Sequence, residues 1–168
     1  MLIRAEQPTD HAAIHRVNEA AFGQPAEADL VDRLRANHKA VLSLVAEDNG
    51  VIVGHILFSE VSVDTNPQAV RLIGLAPMAV ATAHQRNGIG SQLVSEGLVA
   101  CWVAGYSAVI VLGHPEYYPR FGFVPASRFG IKSEYDVRDE VFMAVELREG
   151  ALADCHGLAR YQAEFSEL

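Results

Sequence analysis

"HQRNGIGSQLV", His84–Val94, sets two glycines one residue apart where β-rich sequence gives way to a helical pattern. Glycine pairs of this kind cradle phosphates in several unrelated folds. A dinucleotide fingerprint would place glycine at 88, 90 and 93, but position 93 is Leu93. A triphosphate loop needs Gly-Lys-Ser/Thr, and the chain has no such tripeptide. Two readings are left by the residues alone. Gly88 and Gly90 can leave backbone N–H groups unshielded at a helix start, where the helix dipole attracts an anion, with Ser91 and Arg86 as added donors. Alternatively they only permit a tight strand-to-helix turn.

The segments on either side supply the architecture. Arg71–Ala81 reads as a strand, in which Pro77 cannot donate a ladder hydrogen bond. From Gly88 to about Ala104 the pattern is helical, with Leu93, Gly97, Ala100 and Ala104 on one face. Three of those four are small, so that face can approach a sheet closely. "AVIVLG" follows as a buried strand, then "PEYYPRF" as a short helical segment, a turn at Gly122 and a late strand, "EVFMAVEL". Upstream, "LIRAE" is a short strand. Thr9 or Asp10 can cap a helix running to about Phe22, and "AEADLVDRLRAN" forms a second helix with Leu30, Val31 and Leu34 as its apolar stripe. "LSLVAED" and "VIVGHILFSEVSV" flank Asn49-Gly50, a type I′ hairpin signal. The tail beyond Gly150 reads as coil with a short extended piece near "GLARY". The fold class is α/β (α+β): one mixed central sheet flanked by helices.

Composition narrows the function classes. The 168 residues suit a single domain, 1–168, and half of them are apolar. A net charge of -8 argues against a nucleic-acid binder and favours cationic partners. The amino terminus lacks the apolar core of a signal peptide. Gly97–Gly113 carries no charged side chain but is too short to span a membrane and is broken at Gly105. Cys101 and Cys155 stand far apart in no metal spacing, so a reducing, cytoplasmic location with no membrane partner is the expectation. No metal site is expected: His11 and His15 share a helix face without a third ligand in the sequence. No Gly-x-Ser-x-Gly elbow is present, and Cys101 sits in an apolar helical stretch where burial outweighs nucleophilicity.

With its surroundings, "LAPMAVATAHQRNGIGSQLV" resembles the signature segment of the GNAT superfamily of N-acetyltransferases. The match is Gln85-Arg86-Asn87-Gly88-Ile89-Gly90 after an apolar strand, and "YYPRFGF" resembles the family's second motif, Tyr118 to Phe123. The element order agrees over essentially the whole chain. Two departures stand out: the family often has proline at the position of Thr82 and glycine at that of Arg86. The second motif is also short here and interrupted by proline.

The resemblance implies acetyl-coenzyme A as cosubstrate, in a V-shaped gap between splayed parallel strands at Arg71–Ala81 and Ala108–Gly113. The backbones of Met78, Ala79 and Val80 would pair with the pantetheine arm. The amides of Gln85, Arg86, Asn87, Gly88, Ile89, Gly90 and Ser91 would hold the pyrophosphate. An N–H near Val80 would stabilise the oxyanion. Tyr118 matches the general-acid position, its ordinary pKa of about 10 suiting a thiolate near ~8.5. Arg71–Ala81 carries no acidic residue, so Glu60 on the preceding strand is the candidate base, with His114 and Glu116 as further candidates and bulk water as another route. The function implied is direct acetyl transfer to a primary amine, a small molecule or peptide, in a ternary complex. The alternative is a non-catalytic acyl-coenzyme A-binding or regulatory protein. By the same resemblance the first two helices and variable loops, here Phe22–Ala28 and Arg128–Val137, would line the acceptor side. The resemblance also allows a homodimer, which nothing in the sequence fixes.

Overall fold

The structure is a computed structural model that describes residues 1–168. It falls into two compact units. The first comprises Met1–Ser59, Ala76–Gly97 and Ala163–Leu168; the second comprises Glu60–Leu75 and Leu98–Gln162. Three elements run from one into the other: strand β3 (Val51–Thr65), strand β4 (Leu72–Val80) and helix α3 (Ile89–Val103).

The first unit opens with β1 (Leu2–Ala5), antiparallel to β2 (Leu42–Asp48), which pairs in turn with the first part of β3. Asn49 and Gly50 between β2 and β3 have φ of 50° and 80°, the doubly positive turn that the Asn-Gly dipeptide predicts. Helix α1 (His11–Phe22) ends at Gly23, whose φ of 71° forms a left-handed cap. Its start differs from the expectation. A short 3₁₀ turn at Pro8–Asp10 precedes it, and Asp10 caps backward, accepting from the Gln7 N–H at 2.7 Å. The buried Asp10 carboxylate is then matched by two Arg4 nitrogens, at 2.7 and 3.1 Å. Helix α2 (Ala26–Ala36) places Glu27 and Asp29 in its first turn and Arg33 and Arg35 in its last, in line with its dipole. Ile14 and Val17 of α1 and Leu30, Val31 and Leu34 of α2 are buried.

Helix α3 lies close on β3 because glycines make room for it. A Cβ at Gly54 would meet Leu93 Cδ1 at 3.0 Å and Ile89 Cγ2 at 3.2 Å, and one at Gly97 would meet two Phe58 ring carbons at 2.7 Å. The predicted small-residue face is right at Leu93 and Gly97 but drifts beyond them. Ala100 is half-buried and Ala104 exposed, whereas Cys101 is fully buried. The buried residues Leu93, Gly97 and Cys101 follow an i, i+4, i+8 ridge, which slants about 40° around the helix at each step, so the line of closest approach crosses the helix axis obliquely. Burial pushes the Cys101 thiol up to about 12, so it is an inert packing group.

In the second unit β4 pairs in parallel with β5 (Ala108–Leu112), in a register that runs from Leu72↔Ala108 to Leu75↔Val111. The chain between β5 and the next strand bears a 3₁₀ turn at Tyr118–Phe121, closed by Gly122 at φ 94°. Strand β6 is Val124–Pro125 and β7 is Ile131–Ser133; β8 (Phe142–Glu146) is antiparallel to both β5 and β6. Strand β9 (His156–Arg160) runs parallel to β7 and antiparallel to the far part of β3. Strand β9 is the short extended piece expected near "GLARY", and the tail adds a 3₁₀ turn at Ala163–Glu167 where coil was expected. Val61, Leu72, Ile110, Ile131, Phe142 and Leu152 belong to the core of this unit. Hydrogen bonding links the strands in the order β1-β2-β3-β4-β5-β8-β6, a mixed sheet in which β4 and β5 run parallel. No helix is long and apolar enough to cross a membrane.

Candidate active site

The first unit carries the glycine segment as an open amide loop. Beyond β4, the Ala81 N–H donates to the Val53 carbonyl at 2.8 Å and a 3₁₀ turn spans Thr82–His84. Gln85 is extended, Arg86 has φ 65°, Gly88 has φ 80°, and the first bond of α3 runs from the Gln92 N–H to the Gly88 carbonyl at 3.0 Å. The Gln85 N–H donates to the Thr82 carbonyl at 3.4 Å, and the amides from Arg86 to Gly90 follow ahead of the first helical bond, where the dipole is positive. Gln85, Arg86, Asn87 and Gly88 are exposed, Ile89 is buried and Gly90 and Ser91 are half-buried. A Cβ at Gly88 would meet nothing within 4 Å, so glycine serves its dihedral angle there and not a shortage of room.

Two features of this loop were not legible in the motif. The Gln85 side chain turns back, its Nε2 donating to the Val80 carbonyl at 3.0 Å, and so ties the loop to the end of β4. Arg86 occupies a left-handed conformation that costs a non-glycine residue ~1 kcal/mol or more. That conformation accounts for the glycine common in the family at this position; here the strain accompanies an exposed positive charge beside the amides. Along β4 Ala79 is buried while Met78 and Val80 are half-buried.

The second unit carries the aromatic turn. Tyr118 is buried, with its ring against Gly113, where any Cβ would overlap it. Tyr117 stands perpendicular to it at a centroid distance of 5.1 Å, and Phe123 meets its ring edge-on at 5.6 Å. Burial, with the neighbouring Tyr117, pushes the Tyr118 hydroxyl up to about 12. Tyr117 itself lies under the Arg120 guanidinium, 4.4 Å from its ring centre. Beside Gly113 a pocket of about 510 Å³ is lined by Leu112, His114, Glu116, Arg138 and Val141 among others.

Glu60 sits elsewhere in this unit. Its Oε1 accepts from the Tyr106 hydroxyl at 2.8 Å and from Arg71 Nη2 at 3.1 Å, and the Arg71 guanidinium also lies 4.3 Å from the Tyr106 ring centre. Strand alternation points Glu60 away from Val61, which packs toward Gly74 and Tyr161.

Sequence reasoning missed a polar chain in the core of the first unit. His55 on β3 has no exposed surface. Asn18 Nδ2 lies 3.1 Å from its Nδ1, and its Nε2 lies 2.9 Å from Ser43 Oγ. Asn18 Nδ2 can only donate, so the His55 proton resides on Nε2, and Ser43 passes its own proton toward Glu6 in a short hydrogen bond. Glu6 also accepts from Arg35 Nε at 2.8 Å and Nη2 at 3.0 Å. Burial raises the Glu6 carboxyl, but hydrogen bonds from Arg35 and Ser43 outweigh it and leave the group below the usual carboxylate range.

The fold and the glycine loop define an acyltransferase of the GNAT class. A family model described as an acetyltransferase (GNAT) domain matches residues 2–126. The uncharacterized N-acetyltransferase YhbS of Escherichia coli (strain K12) is 36% identical over 169 residues, covering 100% of both chains. A crystal structure of the E. coli GNAT family N-acetyltransferase YhbS in complex with CoA superposes with a TM-score of 0.93, covering 98% of this chain and 91% of that one. A GNAT family acetyltransferase from Brucella melitensis in complex with acetyl-CoA gives a TM-score of 0.80 at 35% identity, covering 98% and 97%. The chain belongs to the GNAT family of N-acetyltransferases.

Proposed function

We propose that this protein takes acetyl-coenzyme A as cosubstrate and transfers its acetyl group to a primary amine by direct attack in a ternary complex. The loop from Gln85 to Ser91 carries the reading: its amides precede the first bond of α3, two of its residues hold positive φ, and Arg86 adds a charge. Such a loop suits a pyrophosphate, and the related structures with CoA and acetyl-CoA support the same ligand here. The backbones of Met78, Ala79 and Val80 receive the pantetheine arm in this reading. The two units, sharing β3, β4 and α3, act as one domain over residues 1–168.

In the transfer step the amine nitrogen attacks the thioester carbonyl, the C–N bond forms, and the oxyanion is held by an amide near Val80. The C–S bond then breaks, and Tyr118 gives its proton to the departing thiolate. Its raised pKa keeps it protonated through the physiological range, so the acid form is always present. Orientation of amine and thioester supplies much of the acceleration. For the amine proton we propose release to water. Glu60, the candidate base from sequence, has one oxygen engaged by both Arg71 and Tyr106 and serves better as the anchor of that cluster.

One observation favours a second reading: β4 carries no acidic side chain, as a non-catalytic acyl-coenzyme A-binding protein would allow. Thiol release from acetyl-coenzyme A with a panel of amines separates the two. Tyr118→Phe is expected to lower kcat by ~100-fold or more while acetyl-coenzyme A still binds. A Phe variant as active as the parent at every pH removes the acid assignment.

A further inference from the structure

The pocket beside Gly113 has a charge pattern that discriminates among amines. Its one arginine, Arg138, is already neutralised by Glu140, with Nη1 to Oε1 at 3.0 Å. Glu116 is exposed and has no ion-pair or hydrogen-bond partner in the chain, so it is the uncompensated charge of the lining. The segment Glu134–Glu140 adds Asp136 and Asp139 nearby in sequence, with Arg138 its only cation. The apolar part of the lining includes Leu112, which is 42% exposed, and the half-buried Val141. Gly113 belongs to the pocket and is also the residue against which Tyr118 packs.

We propose that the acceptor is a primary amine with a second positive charge at the far end of a short apolar linker, its distal ammonium held by the Glu116 carboxylate. This inference rests on the acetyl-transfer reading for the reacting end of the molecule. The linker lies along Leu112 and Val141, and the near amine reaches the Gly113 end. An amino-acid acceptor fits less well, because its carboxylate would have to displace Glu140 from Arg138 and would face Glu116 with like charge. A neutral alkylamine leaves Glu116 unmatched. Glu116 thus selects the acceptor and takes no part in the bond changes. An ion pair at a partly open pocket is worth about fivefold in affinity.

The test compares putrescine and cadaverine with n-butylamine and γ-aminobutyrate, which keep a primary amine and change only the distal group. Thiol release gives kcat/KM for each, with wild type, Glu116→Gln and Glu116→Lys. The expected result is that the diamines exceed n-butylamine by about fivefold or more, with γ-aminobutyrate poorest. That discrimination collapses toward unity in Glu116→Gln and inverts toward γ-aminobutyrate in Glu116→Lys. Calorimetric titration of each amine into protein loaded with coenzyme A provides a readout independent of turnover. Diamine binding that Glu116→Gln abolishes, with no turnover, supports the site while defeating the transfer reading. Equal use of n-butylamine and putrescine by the wild type, or discrimination unchanged in Glu116→Gln, overturns the inference and leaves acetyl transfer standing. Diamines that are neither bound nor acetylated overturn it too. Glu116 is exposed and unpartnered, so its variants should fold, and a thermal melt checks this.

Discussion

Acid should loosen this fold through one side chain, His55. The ring has no exposed surface, accepts from Asn18 at Nδ1 and keeps its proton on Nε2 toward Ser43. A second proton would have to enter Nδ1 against the donating Asn18 amide, in a fully buried site. Burial accordingly lowers its pKa from 6.5 to about 4, with the Glu6 carboxylate opposing the drop. Between those values the unfolded chain binds a proton at residue 55 and the native chain does not. The native state is therefore favoured fully above 6.5, and the contribution is lost as pH falls toward 4. At ~1.36 kcal/mol per pH unit, this interval is worth about 3 kcal/mol, a large share of the ~5–15 kcal/mol that holds a domain. Urea unfolding across the interval, on wild type and His55→Gln, measures it. The variant should be less stable at neutral pH but should lack this part of the acid slope, since residue 55 is the only difference between the two proteins. Identical slopes, or a His55 imidazole that titrates near 6.5 by NMR in the folded protein, would refute the reasoning.

Two further substitutions probe the glycine loop and its support. Gly88→Asp and Gly88→Asn share a shape and both tolerate a left-handed φ, so they isolate charge: Asp should weaken acetyl-coenzyme A binding at least ~10-fold relative to Asn. Equal binding would move the pyrophosphate elsewhere. Gly97→Ala places a Cβ 2.7 Å from the Phe58 ring and should cost ~1–3 kcal/mol in a denaturant melt; a neutral result would mean that α3 is not pinned there.

What could be read in advance was local. Asn49-Gly50 determines its own turn through two adjacent φ angles, and the amphipathic stripe of α2 repeats within a few residues. The loop from Gln85 to Ser91 was legible as a turn into α3 because Gly88 sets its backbone; the anion site proposed there is built from amides more than from side chains. Asn18, His55, Ser43 and Glu6 were invisible for the opposite reason. Asn18, Ser43 and His55 are ordinary polar residues on three different elements and Glu6 lies just beyond β1, and only tertiary pairing turns the four into one chain. Arg86 hid its left-handed backbone behind a side chain that rarely adopts one. The charge pattern of the Gly113 pocket likewise depends on Arg138 finding Glu140 and on Glu116 finding no one.

The two classes meet in α3. Its first-turn amides are the proposed anion site, so the position of those amides is set by how closely the helix lies on β3. That distance is set by Gly54, against Ile89 and Leu93, and by Gly97, against Phe58. A glycine on the strand and another on the helix thus do for placement what Gly88 does for conformation. A larger residue at either contact would lift the helix start along with its packing, coupling stability to affinity for an anion that neither glycine touches. The helix is also nearly featureless in charge from Gly97 onward, so nothing polar competes with burial in choosing which face goes down. Close packing decides the face, and the face decides where the amides point.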